Sequence, residues 1–145
     1  MATFEATGTS SSDTGLEVSA RDFKWLVDEP PSLGGGDIGP NPVEYVLGAL
    51  LGCLNVVVHL VAKEKGVVLT SFTAHAKGEL DPSKFIGKNM DVRAGYSVIE
   101  VTIDVESEAD QATLDEIIAI AETRCPVSDN LANVTPVNIK MVKKG

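Results

Sequence analysis

Two cysteines, Cys53 and Cys125, are the residues of this chain best suited to covalent chemistry. A cysteine thiolate is a nucleophile, and it can be oxidised through a sulfenic acid to a disulfide. Two cysteines are too few for a disulfide scaffold, and their spacing does not match a zinc site. The chain also lacks the glycine-rich signatures of nucleotide-binding loops, so we expect neither a metal nor a cofactor.

Cys53 lies in an apolar run, and its neighbours one and two turns away on a helix are all apolar. One interpretation is a small buried hydrophobe, because free cysteine is among the most buried residue types. An apolar setting also raises the pKa of a thiol and opposes its reactivity. A reactive Cys53 therefore needs a cation from another segment of the fold. The apolar neighbours are Val46, Ala49, Leu50, Val56, Val57 and Leu60.

Cys125 directly precedes Pro126. Proline disfavours helical geometry at the residue before it, so a helix that arrives at Cys125 should end there. Pro126 can then open a short second helix over residues 126–130. Backbone N–H groups of that helix could stabilise a thiolate at Cys125. The alternative is that Cys125 is a helix-end residue without chemistry.

A long helix is predicted over residues 41–66, with Cys53 near its middle. Asn41 is a good N-cap, the proline after it suits the first helical position, and Glu44 completes a capping box. Lysines in the last turn suit the helix dipole, and Gly66 supplies a left-handed stop. The helix should therefore begin and end close to these residues.

The predicted helix is apolar on nearly every side, which is typical of a helix in a protein core or in a membrane. Polar residues within it would be costly in lipid, so we predict the central helix of a soluble protein. Gly48 and Gly52 lie on one face and allow the close approach of a large neighbour. That neighbour is either the same helix of a second copy or a sheet of this chain.

The remaining segments predict an α+β fold with antiparallel sheet, because strands come before, between and after the helices. The clearest strand covers residues 96–106, where apolar and polar residues alternate. A second helix is expected from a cap at Ser107 or Asp110 to about Arg124, with an apolar stripe on one face. Further strands are expected at residues 3–7, 16–19, 23–27, 67–77 and 136–142, with loops at 8–15, 28–40 and 81–89.

Composition limits the size of the fold and the classes of partner. The chain has 145 residues, of which 43% are hydrophobic, and this suits a single domain over residues 1–145. Its net charge of -9 argues against nucleic acid and anionic membrane surfaces as partners. The first residues contain neither a basic region nor an apolar run, so we expect no signal peptide and a cytoplasmic location.

The segments around the two cysteines resemble the OsmC/Ohr family of osmotically induced and organic hydroperoxide resistance proteins. These segments are GPNPVEYVLGALLGC, residues 39–53, and AETRCPVSDNL, residues 121–131. The resemblance runs from about Trp25 to Val142, and the order of the two motifs makes it specific at the family level. It implies an OsmC-like intertwined homodimer, with the long helices at its centre and a two-cysteine site at each subunit interface.

The resemblance also implies a chemistry for these sites. In catalytic members the first cysteine attacks a hydroperoxide and becomes a sulfenic acid, and the second condenses with it to a disulfide. A dithiol, often lipoyl-based, then reduces the disulfide. Carried over to this chain, Cys53 is the peroxidatic cysteine and Cys125 is the resolving cysteine.

Two further residues of the family site fall at shifted positions. Hydroperoxide-reducing members carry an Arg in an N-terminal glycine-rich turn, whereas residues 8–15 contain none, and Arg21 is the nearest candidate. Those members place a Glu directly after the helix-opening proline, where this chain has Val43 and then Glu44. An ideal helix would put Glu44 about 180° from Cys53, which favours a capping role for Glu44 over a catalytic one.

Three functions are compatible with these features. The leading hypothesis is a thiol-dependent peroxidase that reduces organic hydroperoxides. One alternative is a non-catalytic OsmC-like stress protein that binds a small apolar ligand at the dimer interface. The other is a structural dimer whose buried cysteines are inert. The surroundings of Cys53 and its distance from Cys125 distinguish between them.

Overall fold

The computed structural model describes residues 1–145, and the expected α+β class with antiparallel sheets and a long helix is confirmed. The chain divides into two compact units, residues 1–48 and residues 49–145, and one helix runs from the first into the second. The expectation of one domain over residues 1–145 stays a prediction. In chain order the elements are β1 (Thr7–Ser10), β2 (Leu16–Ala20), β3 (Phe23–Val27), a 3-10 turn (Pro31–Leu33), α1 (Pro42–Glu64), β4 (Ser71–Glu79), β5 (Val98–Glu106), α2 (Gln111–Arg124) and α3 (Pro126–Ala132).

The first unit contains a three-stranded antiparallel sheet in the order β1-β2-β3. The strands expected at residues 16–19 and 23–27 are confirmed, whereas the strand expected at residues 3–7 lies instead at β1. The hydroxyl of Ser12 accepts from the Gly15 backbone N–H at 2.7 Å and closes the turn between β1 and β2. The turn fixes the register in which β1 pairs with β2, so the polar residues directly before the turn form β1.

Asp28 organises the glycine-rich loop that follows β3. Its side chain is buried, with 1% exposure, and its carboxylate accepts from the backbone N–H groups of Glu29 at 2.7 Å and Gly36 at 3.1 Å. A hydrogen bond from the Thr14 hydroxyl, followed by these backbone N–H groups, lowers the pKa of Asp28. A Cβ at Gly35 would overlap the Glu29 carbonyl, so the loop needs glycine there.

Helix α1 begins and ends as its sequence predicts. The Glu44 carboxylate accepts from the Asn41 N–H, and the Asn41 side chain accepts from the Glu44 N–H, both at 2.9 Å. This reciprocal pair is a capping box, which satisfies two N–H groups that have no helical partner. Gly66 has a φ of 69°, and the Val67 N–H donates to the Ala62 carbonyl at 2.8 Å. The helix is therefore closed at both ends.

The core of the second unit forms where one side of α1 packs against α2. Full burial of a valine, leucine or isoleucine side chain contributes about 1.5–3 kcal/mol to the free energy of unfolding, relative to leaving it exposed. The length and hydropathy of α1 would also suit a membrane span, but the core helix of a soluble protein meets the same criteria. The buried residues are Leu50, Leu54, Val57, Val58, Val61, Ala62, Ile117, Ala121 and Cys125.

Strands β4 and β5 form an antiparallel hairpin in which Phe72 pairs with Val105 and Ala76 with Val101. The alternation predicted for β5 is confirmed, because its half-buried apolar positions face the core. Both strands begin later than expected. Residues 67–70 close the end of α1 and lead into β4, and the long loop after β4 extends to residue 97.

The strand expected at residues 136–142 is wrong. Residues 133–145 belong to no helix or strand, although Val137, Ile139 and Met141 alternate as in a strand and are exposed. A strand forms only where a neighbouring strand satisfies its backbone groups. No strand of this single chain pairs with the segment.

One side of α1 remains uncovered in this chain. A Cβ built at Gly48 or Gly52 meets no atom within 4 Å, so both glycines face open space. Val56 and Leu60 follow Gly52 along the same side and are 64% and 46% exposed. We call Gly48, Gly52, Val56 and Leu60 the open face of α1.

Replacing Asp28 tests the role of its carboxylate. We expect Asp28→Asn to lower the thermal midpoint at pH 7, because the amide removes the charged acceptor from three backbone N–H groups. A lowered pKa stabilises the fold above the ordinary value of about 3.9, and this contribution is lost as the pH falls through the folded value. The difference from wild type should therefore shrink on acidification.

Thermal unfolding at pH 7 and pH 3 measures this effect, with Asp13→Asn as the control at an exposed aspartate of the same unit. If Asp28→Asn lowered the thermal midpoint equally at both pH values, the stabilisation could not be assigned to the ionised carboxylate.

Candidate functional site

The two cysteines lie side by side in the second unit. Their Sγ atoms are 2.9 Å apart, and the Cys125 thiol donates to the Cys53 sulfur. Both cysteines are free thiols. Because a disulfide bond is about 2.0 Å long, bond formation requires the sulfurs to approach each other by about 1 Å. The arrangement can therefore support reversible disulfide chemistry.

Packing of α2 on α1 brings these residues together. Cys53 lies at the edge of the buried side of α1, where it contacts the core that includes Ile117 and Ala121 of α2. Cys125 lies between α2 and α3 with extended backbone geometry, φ -82° and ψ 111°. The expected break before Pro126 is confirmed, and it turns the chain so that the Cys125 thiol meets α1.

The two thiols differ in their access to solvent. Cys125 is completely buried, with 0% exposure, whereas Cys53 is partly exposed. Burial, and then the hydrogen bond to the Cys53 sulfur, raises the pKa of Cys125. The expected N–H donor is present, because the Ser128 N–H donates to the Cys125 Sγ at 3.4 Å, but burial outweighs it. Cys125 is thus a protonated thiol at neutral pH and Cys53 is the more accessible sulfur.

Two ion pairs join the C-terminal end of α1 and the residue after it to α2. Arg124 donates from Nη1 and Nη2 to the two carboxylate oxygens of Glu64, at 2.8 Å and 3.0 Å. Lys65 donates to Glu116 at 2.7 Å. The Arg124 guanidinium lowers the pKa of Glu64, and Glu64 in turn raises the pKa of Arg124. Neither pair was predicted from the sequence, because the partners lie 60 and 51 positions apart in the chain.

The other two candidate residues lie in the first unit. Arg21 occupies the two-residue turn between β2 and β3 with a φ of 53°, and its guanidinium lies 4.9 Å from the centre of the Phe23 ring. Glu44 forms the capping box of α1, as predicted. The catalytic roles of Arg21 and Glu44 toward Cys53 stay predictions.

The chain matches a known family over most of its length. The profile of the family described as OsmC-like protein matches residues 34–140, which include both cysteines. Among curated protein sequences, none is significantly similar to this chain.

Several solved structures share the fold. An OsmC-like protein from Mycoplasma pneumoniae is 19% identical with a TM-score of 0.79, over 92% of this chain and 89% of that one. An organic hydroperoxide resistance protein from Elizabethkingia anophelis is 21% identical with a TM-score of 0.64, over 89% and 87% of the two chains. The organic hydroperoxide resistance protein OhrB of Bacillus subtilis is 20% identical with a TM-score of 0.58, over 88% of each chain.

These identities are too low to transfer an activity, but the shared fold and the family profile agree. The profile covers the helix that carries Cys53 and the α2–α3 junction that carries Cys125. The fold shared with the Mycoplasma pneumoniae protein covers 92% of this chain and therefore extends into both units. The chain therefore belongs to the OsmC-like protein family.

Proposed function

We propose that the protein is a thiol-dependent peroxidase that reduces organic hydroperoxides, with Cys53 as the peroxidatic cysteine and Cys125 as the resolving cysteine. The observation that carries this proposal is the 2.9 Å separation of a partly exposed and a fully buried sulfur. Structural relatives named as organic hydroperoxide resistance proteins support the choice of substrate class.

Cys53 is the better first nucleophile for two reasons. It is the more accessible thiol, so a hydroperoxide can reach it without opening the core. The Cys125 S–H also points at the Cys53 sulfur, so the buried thiol is the hydrogen-bond donor of the pair. The raised pKa of Cys125 keeps that donor protonated at neutral pH. The two thiols therefore differ in role before any substrate is bound.

The reaction would proceed in two steps that use the same two sulfurs. The Cys53 thiolate attacks the distal oxygen of the hydroperoxide, the O–O bond breaks, and the alkoxide leaves as an alcohol after it takes a proton. The Cys125 sulfur then attacks the Cys53 sulfenic acid. The S–S bond forms, the S–O bond breaks, and the hydroxide leaves as water with the thiol proton of Cys125.

A dithiol completes the cycle by thiol–disulfide exchange. One of its thiolates attacks the disulfide, and its second thiol releases the mixed disulfide, which restores both cysteines and leaves an oxidised dithiol. We propose a small or lipoyl-type dithiol in this role, because Cys53 is the only one of the two sulfurs that is open to attack.

We also propose that the active form is a homodimer. The open face of α1 exposes Val56 and Leu60 beside two glycines, and an exposed apolar stripe of this kind is typical of an interface. Residues 136–142 carry an alternating apolar pattern that would suit a strand paired with a partner copy. A second copy would supply an apolar surface for the helix, and Arg21 would supply the cation in the assembled site.

The cysteine pair is tested with tert-butyl hydroperoxide. One equivalent should give an intramolecular disulfide between Cys53 and Cys125, which mass spectrometry detects. Cys125→Ser should instead leave Cys53 as a sulfenic acid that a dimedone probe traps. Cys53→Ser should lower peroxide consumption with a dithiol at least about a hundredfold, because the first nucleophile is gone. Two intact thiols after peroxide treatment of the wild-type protein would reject the peroxidase, in favour of the ligand-binding or structural alternatives.

Arg21 is tested by comparing two arginines. We expect Arg21→Ala to slow sulfenic acid formation roughly three- to tenfold near neutral pH, because a cation favours the thiolate. Arg21→Lys should retain part of the rate, since it keeps the charge. The control is Arg93→Ala, at an exposed arginine of the loop between β4 and β5. Equal rates for Arg21→Ala and wild type, measured by stopped flow, would remove Arg21 from the site and leave the cysteine chemistry in place.

The dimer is tested at Gly52. We expect Gly52→Leu to fold, because a Cβ there meets no atom of its own chain, but to weaken self-association at least tenfold. Sedimentation velocity at micromolar concentrations measures the change. Ala119→Leu adds a leucine at an exposed position of α2 and should leave association unchanged. A wild-type protein that sediments as a compact monomer would contradict the dimer.

A further inference from the structure

The ion pair between Glu64 and Arg124 joins the end of the helix that carries Cys53 to the residue directly before Cys125. Glu64 is the last residue of α1, the helix that carries Cys53. Arg124 is the last residue of α2 and the residue directly before Cys125. Both Nη atoms of Arg124 donate to the two carboxylate oxygens of Glu64, which fixes the guanidinium in direction as well as in distance.

We propose that Glu64 and Arg124 are positioning residues that hold the Cys125 sulfur beside Cys53, and that they thereby set the effective molarity of the two thiols. The proposal rests on the proposed function only in so far as that function uses disulfide closure. Neither side chain touches a sulfur in the structure, so both act through the backbone at the end of α2.

The backbone around Cys125 needs such support. Cys125 has extended geometry between two helices, α3 is only seven residues long, and the chain beyond residue 132 forms no helix or strand. Val127 of the short helix packs against the core, and the junction with α2 at Cys125 is the other anchor of α3 in this chain. Two groups held at bonding distance react with a high effective molarity, which falls when either group gains freedom of movement. The ion pair of Arg124 with Glu64 restricts the movement of the adjacent Cys125 backbone and therefore favours formation of the disulfide.

The second ion pair between α1 and α2 provides a matched comparison. Lys65 and Glu116 also join the end of α1 to α2, at 2.7 Å. Glu116, however, lies nine residues before Cys125, about two and a half helical turns along α2. The two pairs resemble each other in charge and in the helices they connect, and they differ in their proximity to Cys125. Only the Glu64–Arg124 pair should affect the cysteines.

Solvent limits the size of the effect. The side chains of Arg124 and Glu64 are 39% and 50% exposed, so their attraction is screened by water and by salt. The bidentate geometry makes the pair stronger than an ordinary surface pair. We therefore expect a severalfold effect on closure, which should diminish at high ionic strength.

The experiment measures the equilibrium of the full-length protein with reduced and oxidised glutathione. Closure removes two electrons and two protons from the thiols, and one oxidised glutathione becomes two reduced molecules. Glu64→Gln and Glu116→Gln make the same change of one carboxylate to an amide. We expect Glu64→Gln to lower the effective molarity three- to tenfold, or about 14–30 mV in reduction potential, and Glu116→Gln to change it less than twofold.

A double-mutant cycle adds a readout that general destabilisation would not reproduce. Arg124→Ala should match Glu64→Gln, and the double variant should be no worse than either single variant, since the second change has no partner left to remove. Arg124→Lys should recover part of the loss. Thermal unfolding of each variant shows whether stability and effective molarity change separately.

Three results would overturn the proposal. These are equal effects of Glu64→Gln and Glu116→Gln, additive effects in the cycle, and a wild-type protein that forms no disulfide with glutathione. Because this equilibrium contains no hydroperoxide, failure of the peroxidase leaves the positioning result readable. Peroxide-driven closure of wild type with unchanged closure in Glu64→Gln would instead reject the positioning role alone.

Discussion

The packing of α2 against the buried side of α1 is the interaction on which the rest of the second unit depends. Ile117 and Ala121 of α2 are among the most buried residues of this unit, and they belong to one cluster with the buried residues of α1. Apolar burial is non-directional, so it brings the helices together without selecting the rotation that aligns two sulfurs. The proline after Cys125 and the polar pairs at the helix ends supply directional constraints that burial lacks.

The same core gives the two cysteines different environments although they touch. Cys125 lies wholly inside the core, where desolvation disfavours its thiolate, and Cys53 lies at the boundary. One S–H therefore points at a sulfur that solvent can reach. The two sulfurs therefore differ in burial although they are only 2.9 Å apart.

Local signals in the sequence predicted the elements whose geometry is determined by neighbours along the chain. The capping box of Asn41 and Glu44, the stop at Gly66 and the break before Pro126 are formed by contacts within a few residues. Strand positions were less predictable. Residues 133–145 carry a strand pattern without a strand, and β1 is a polar segment that pairs because a turn places it next to β2.

Residue types and short spacings were sufficient for the family resemblance, the α+β class and the choice of the two cysteines. The meeting of the two sulfurs, the burial of Cys125 and the pairing of Glu64 with Arg124 became evident only from the packing of the helices. The two contacts join residues 72 and 60 positions apart in the chain. No local periodicity encodes such a contact, since it arises from how two helices pack around a shared apolar core.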